Sequence, residues 1–219
     1  MAESRSGKDL MDLMRQLKPY MSSHRNAQHK FSPKGSALLV IDMQKYFLEK
    51  TSHAYLPSSK NMVTNVRNLV DAYHDLSLPV IFTRHAHLPH GDTGAMGRWW
   101  GDLIREGDTG SELSPEMGAL PRDTIIRKAK YSAFVETELD ETLRSLHVSS
   151  IVITGVMTHL CCESTARDAF MRDLDVFFVI DGTASETQDL HVSSLKTLTD
   201  GFAIPVTTKE VLGWLRKRR

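Results

Sequence analysis

The chain has 219 residues, 27 basic and 27 acidic, for a formal charge of zero. That length suits one large domain with a well-buried core, and the charge balance leaves no electrostatic footprint for nucleic acid or an anionic membrane. Both cysteines, Cys161 and Cys162, are adjacent and cannot form an ordinary structural disulfide with each other, which points to a reducing compartment. No apolar run approaches the roughly 20 residues of a membrane span, and the first 30 residues lack a signal-peptide core. A cytoplasmic soluble protein is the expectation. The basic tail Arg216-Lys217-Arg218-Arg219 reads as a solvated end.

Residues 1–30 form an N-terminal arm. Leu10, Leu13, Met14 and Leu17 recur at helical spacing, so a short helix packing on the body is expected, followed by loop from Arg25 to Lys30. From residue 31 to 219 a single domain is expected, with strands alternating with helices. The strand candidates are Ala37–Ile41, Pro79–Thr83, Thr124–Arg127, Ser150–Thr154, Val176–Ile180 and Ala203–Val206. They are short and almost continuously apolar, as in a parallel sheet covered on both faces. Between them, Ser58 or Ser59 can cap a helix that carries Met62, Val66, Leu69, Val70 and Tyr73 on one face. Leu139, Leu143 and Leu146 mark a second helix, residues 162–173 a third, and Leu190 to Leu198 a fourth. This alternation predicts a three-layer αβα, Rossmann-like α/β fold with about six parallel strands. The interval Arg84 to Arg122 is rich in glycine and contains Trp99-Trp100. It is irregular and too long to be a mere connector.

In an open parallel sheet, ligands bind beyond the carboxyl ends of the strands. Three polar residues sit there: Asp42 after the first strand, Lys128 after the third, and Cys161 beyond the fourth. Each has a bland reading when taken alone, as a turn or cap residue, a solvated charge and a small buried apolar residue respectively. Together they form a carboxylate that can take a thiol proton, an ammonium that stabilises the thiolate, and a nucleophile. Cys161 also falls where a strand gives way to a helix, a place expected to favour thiolate. Lys130 shares a strand face with Lys128, so spacing alone does not choose between them.

Three motifs carry a resemblance: Leu38-Leu39-Val40-Ile41-Asp42-Met43-Gln44-Lys45-Tyr46-Phe47, Lys128-Ala129-Lys130-Tyr131-Ser132-Ala133-Phe134, and Gly155-Val156-Met157-Thr158-His159-Leu160-Cys161. Over nearly all of residues 35–215 the chain resembles the isochorismatase-like cysteine hydrolases. The resemblance implies an Asp42–Lys128–Cys161 triad, with Lys128 rather than Lys130 selected by its distance from Tyr131. It also implies a cis peptide before Met157, which turns the backbone amides of Met157 and Cys161 toward an oxyanion. Cys162 is left a structural role.

Within the family, nicotinamidase-type members resemble one another in an Asp-x-His metal motif that Leu48 to His53 does not contain. His85, His87 and His90 cluster locally but fall short of a ligand set, so neither metal nor cofactor is expected. True isochorismatases typically have no cysteine at the nucleophile position, yet Trp100-Gly101 and Asp168 to Asp173 lean toward them. The leading expectation is cysteine-dependent hydrolysis of a C–N bond in a small amide, ureido or carbamoyl compound through a thioester. The alternative is vinyl-ether hydrolysis that releases pyruvate; a non-catalytic redox sensor or binding module is a third class. The substrate pocket is expected to draw on Phe47, His85, Trp99, Trp100, Tyr131 and His159, with Phe134 in the core. Arg84 and Arg98 are candidates for binding a substrate carboxylate. The resemblance also implies a homo-oligomer.

Overall fold

In a computed structural model that describes residues 7–21 and 31–217, the chain forms one six-stranded parallel sheet between layers of helix. The expected loop over residues 25–30 and the last two residues of the basic tail lie outside the described residues. Helix α1 (Gly7–Leu17) leads to β1 (Ser36–Ile41), the short α2 (Lys45–Leu48), α3 (Ser59–Asp75) and β2 (Val80–His85). After α4 (Gly94–Trp100) come β3 (Thr124–Lys128), α5 (Leu139–Ser145) and β4 (Ser150–Val156). The chain closes with α6 (Glu163–Phe170), β5 (Asp175–Ala184), α7 (Gln188–Gly201), β6 (Ile204–Val206) and α8 (Thr208–Arg216).

The strand order is β3-β2-β1-β4-β5-β6. The chain therefore winds one way from β1 and the other way from β4, and the reversal between these central strands is where such sheets open a crevice. Period-two alternation divides the core between the two faces of the sheet. Leu39 and Ile41 of β1 pack with Ile151 and Ile153 of β4 under α6 and α7, together with Leu13 and Leu17 of α1. Leu38 and Val40 join Phe82, Val152 and Phe177 under Met62, Val66 and Leu69 of α3 and Val211 and Leu215 of α8. All six residues of β1 are buried. Covering on both faces thus accounts for the unbroken apolar runs.

Several expected boundaries change. β2 runs on through Arg84 and His85, β4 to Val156 and β5 to Ala184, because parallel pairing continues past the apolar stretches into polar residues at the carboxyl edge. Ser58 does not cap α3. Its hydroxyl donates to the Ser185 carbonyl and that of Ser59 to the Leu56 carbonyl. The side-chain caps instead fall at Thr187 on α7 and at Thr207, which forms a capping box with Glu210 on α8. Leu146 lies beyond α5 and Leu190 at the start of α7, and both are exposed. The third expected helix begins later than proposed, since Thr158–Cys162 form a π-helical turn ahead of α6. The interval after β2 is also less irregular than its glycines suggest: it carries α4 and two 3-10 turns.

Candidate active site

The carboxyl ends of β1, β3 and β4 meet at the switch point. Asp42 follows β1 with φ of 49°, a left-handed conformation that Asp tolerates better than most residues; it caps no helix. Register sets the next contact. Parallel pairing of β1 with β2 brings Thr83 beside Asp42, where its hydroxyl accepts from the Asp42 amide at 3.1 Å and donates to Oδ1 at 2.6 Å. The other carboxylate oxygen, Oδ2, lies 2.7 Å from Lys128 Nζ, and both side chains are fully buried. Oδ2 has no well-angled hydrogen bond from the ammonium, so it keeps acceptor capacity for a proton. Lys128 Nζ donates to the Lys130 carbonyl at 3.0 Å and to Cys161 Sγ at 3.2 Å. Lys128 is thus the lysine in the cluster. Lys130, past the end of β3, contributes only its carbonyl.

The path from β4 to Cys161 is sharp. Gly155 has φ of 112°, and a Cβ there would stand 2.0 Å from the Ile41 carbonyl oxygen, so only glycine permits this close crossing. The Val156–Met157 peptide is cis, at the position the resemblance implies. The Met157 carbonyl accepts from the amides of Leu160 and Cys162, and this organises the turn that carries Cys161.

Burial alone would raise Asp42, but the Lys128 ammonium 2.7 Å away, with smaller contributions from the neighbouring His85 and Cys161, holds it below the usual carboxylate range. For Lys128, burial is outweighed by the Asp42 carboxylate, with Cys161 as a further partner, and its pKa rises. Burial and the Asp42 charge push the Cys161 thiol up to about 12, against the pull of Lys128. This corrects the expectation of a resting thiolate at a helix start. Cys161 lies within the π turn, ahead of α6, and is buried beside a carboxylate. Any nucleophilic use of this sulfur would require its proton to leave as it attacks. Burial and Lys128 push His85 down to about 4, so its imidazole is neutral.

A cavity of about 440 Å³ opens onto Cys161. Of the expected pocket residues, Phe47, His85, Trp100 and Tyr131 line it, and Trp100 Nε1 donates to the Tyr131 hydroxyl at 2.7 Å; Met157, expected only for its backbone amide, lines it as well. Trp99 does not: it is 80% exposed, because its neighbour on α4 takes the inward position. His159 is half-buried and bonded to the Ser185 hydroxyl at 2.9 Å, outside the lining. Phe134 is in the core, with the Arg172 guanidinium over its ring. Arg84 pairs with Glu106, and Arg98 is exposed; neither reaches the cavity. His85 and His87 pack edge to face while His90 is exposed, and no group of three potential metal ligands occurs among the described residues.

Other residues in and around the cavity are not evident from the sequence. Tyr46 donates to Asp102 at 2.9 Å, and its hydroxyl lies 3.0 Å from His53, so segments more than 50 residues apart close one rim. Gln44, fully buried, donates to the carbonyls of His85 and Ser111 and accepts from the His85 amide; it ties the long segment after β2 to the base of the site. Tyr46 and Gln44 stand within a quoted motif, but nothing local marks His53, Asp102 or Thr83.

The isochorismatase domain model matches residues 36–210. Nicotinamidase 3 of Arabidopsis thaliana is 41% identical over 171 residues, 77% of this chain and 82% of that protein. The structure of a cysteine hydrolase from Pseudomonas syringae pv. phaseolicola 1448A superposes with a TM-score of 0.83 at 28% identity, covering 86% of this chain and 96% of that one. N-carbamoylsarcosine amidase from Thermoplasma acidophilum does so at 0.71 and 26% identity, over 79% and 96%. The chain belongs to the isochorismatase-like family of cysteine hydrolases.

Proposed function

We propose that the protein hydrolyses a C–N bond in a small amide, ureido or carbamoyl compound, with Asp42, Lys128 and Cys161 as catalytic residues. The observation that carries this reading is the buried Asp42–Lys128–Cys161 contact chain, 2.7 Å and 3.2 Å long, at the base of a cavity. Cys161 Sγ attacks the carbonyl carbon as its proton passes to Asp42 Oδ2, and the C=O π pair moves onto oxygen. The amides of Met157 and Cys161 stabilise that oxyanion. Collapse re-forms the carbonyl and breaks the C–N bond, Asp42 returns the proton to the departing nitrogen, and a thioester remains. Water then attacks with Asp42 again as base, and the carboxylic product leaves as the thiol is restored. Lys128 keeps Asp42 ionised and offsets negative charge as it builds on sulfur.

Amide chemistry is favoured over vinyl-ether chemistry by the lining. Among the described residues it contains no arginine and no lysine, and its carboxylates are Asp102 and Glu186. A substrate with two carboxylates would find no cationic partner there. Relatives named for nicotinamide and N-carbamoylsarcosine hydrolysis agree in bond class.

The test is product release across a panel of uncharged amides, carbamoyl compounds and a vinyl-ether dicarboxylate. Ammonia released by the wild type and lost in Cys161→Ala is the expected result. Pyruvate released at an undiminished rate by Cys161→Ala would overturn the proposal.

A further inference from the structure

We infer that Thr83 is a positioning residue for Asp42: its hydroxyl fixes which carboxylate oxygen receives the thiol proton. The inference rests on the role proposed above for Asp42. Thr83 is buried in β2, and its hydroxyl makes two contacts with one residue. It accepts the backbone N–H of Asp42 at 3.1 Å and donates to Oδ1 at 2.6 Å. With the Asp42 amide N–H on the hydroxyl oxygen and Oδ1 2.6 Å away, the single O–H proton points at the carboxylate. Oδ1 is thereby occupied. Oδ2 is left facing Lys128 at 2.7 Å, with no other donor bonded to it, and is the oxygen open to the Cys161 proton.

The same pair of contacts braces a backbone in the left-handed region, at φ of 49°. One hydroxyl therefore sets both the direction in which Asp42 leaves β1 and the rotation of its carboxylate about the Cβ–Cγ bond. Lys128 cannot replace this second function, since it approaches from the Oδ2 side. Gln44 cannot either, because its amide is committed to His85 and Ser111.

Thr83→Val retains the shape but lacks the donor and the acceptor; Thr83→Ser retains both. With Thr83→Val, kcat on a cleaved amide should fall about 10- to 100-fold with little change in KM, and the acid limb of the profile should rise by about one pH unit. Thr83→Ser should restore most of kcat and return the acid limb to its wild-type position. A purely structural role predicts another pattern: Thr83→Val and Thr83→Ser would both melt earlier, with an unmoved acid limb. That pattern, or an unchanged kcat in Thr83→Val, would overturn the inference. If Thr83→Val does not fold, Thr83→Ala and Thr83→Ser are compared by the same profile.

A second measurement is independent of any substrate. In both proteins the buried histidines, His85 above all, already cost stability below about pH 6.5; the Asp42 share is lost in wild type only below its ordinary value, whereas in Thr83→Val it should be lost at higher pH. An acid unfolding curve that coincides with wild type, once scaled for any uniform loss of stability, counts against Thr83. Absence of amide turnover in wild type, by contrast, counts only against the proposed function.

Discussion

At the scale of single residues, position and state have to be separated. Asp42, Lys128 and Cys161 were legible in the sequence because each follows a recognisable strand, and strand ends share an edge. Their protonation was not legible. A strand-to-helix junction suggests a thiolate, but burial and the nearby carboxylate favour the thiol, and both depend on residues distant in sequence. Ligand-free enzyme should therefore react slowly with iodoacetamide at neutral pH, without a titration step between pH 6 and 9. A fast reaction with a midpoint in that range would mean that Lys128 outweighs burial. Thr83 was invisible for a related reason: inside an apolar strand it resembles any β-branched residue, and only the register with β1 reveals its partner. The Asp42–Lys128 pair also matters to folding. Lys128→Met leaves a fully buried carboxylate without its cation, so a loss of about 3–5 kcal/mol is expected in urea titrations, with activity abolished. A variant as stable as wild type would show that Asp42 is accommodated by Thr83 alone.

At the scale of elements, sequence pattern located every strand of the sheet and the ends of β1 and β6, but stopped β2, β3, β4 and β5 short. The apolar runs stop earlier than the pairing does. In β2 and β5 the last paired residues, among them His85 and Thr183, are polar or small and belong to the functional edge. The opposite limit is set by Gly155, where the β4–β5 register shifts and the backbone crosses Ile41. Its glycine was visible as a link to the cysteine segment, but its steric necessity was not. Gly155→Ala places a methyl 2.0 Å from the Ile41 carbonyl oxygen at a φ of 112°, and should cost more than about 4 kcal/mol, enough to prevent accumulation of folded protein. Gly213→Ala is the contrasting case. It sits within α8 with nothing within 4 Å of the added methyl, and should raise stability by up to about 1 kcal/mol. Thermal melts of both variants check the pair, and a folded, wild-type-like Gly155→Ala would refute the crossing argument.

At the scale of the whole molecule, alternating strands and helices made the layered architecture legible. Which distant segments close the cavity was not, since Tyr46, His53 and Asp102 meet only after the long segment folds over β1. The buried ionisable groups of the site also set how the entire fold responds to pH. Asp42 is depressed below 3.8, so its contribution to stability is present above that value and lost as pH falls through its folded pKa. Lys128 is raised above 10.5, so its contribution is present below that value and lost as pH rises through its folded pKa. The cysteines act earlier on the alkaline side. From an ordinary value of 9.0, burial raises Cys161 to about 12 and Cys162 well above 9.0. Above about pH 9 the unfolded chain sheds two thiol protons that the folded chain keeps, and unfolding becomes easier by about 1.4 kcal/mol per pH unit for each. Urea midpoints of wild type between pH 8.5 and 10.5 should therefore fall steeply. Cys162→Ala, whose thiol takes no part in the proposed chemistry, should remove roughly half of that slope and leave activity largely intact, while the double variant with Cys161→Ala should nearly flatten it. An alkaline slope unchanged by both substitutions would assign the loss to groups outside this site, and would mean that the thiols titrate in the folded protein much as they do in the unfolded chain.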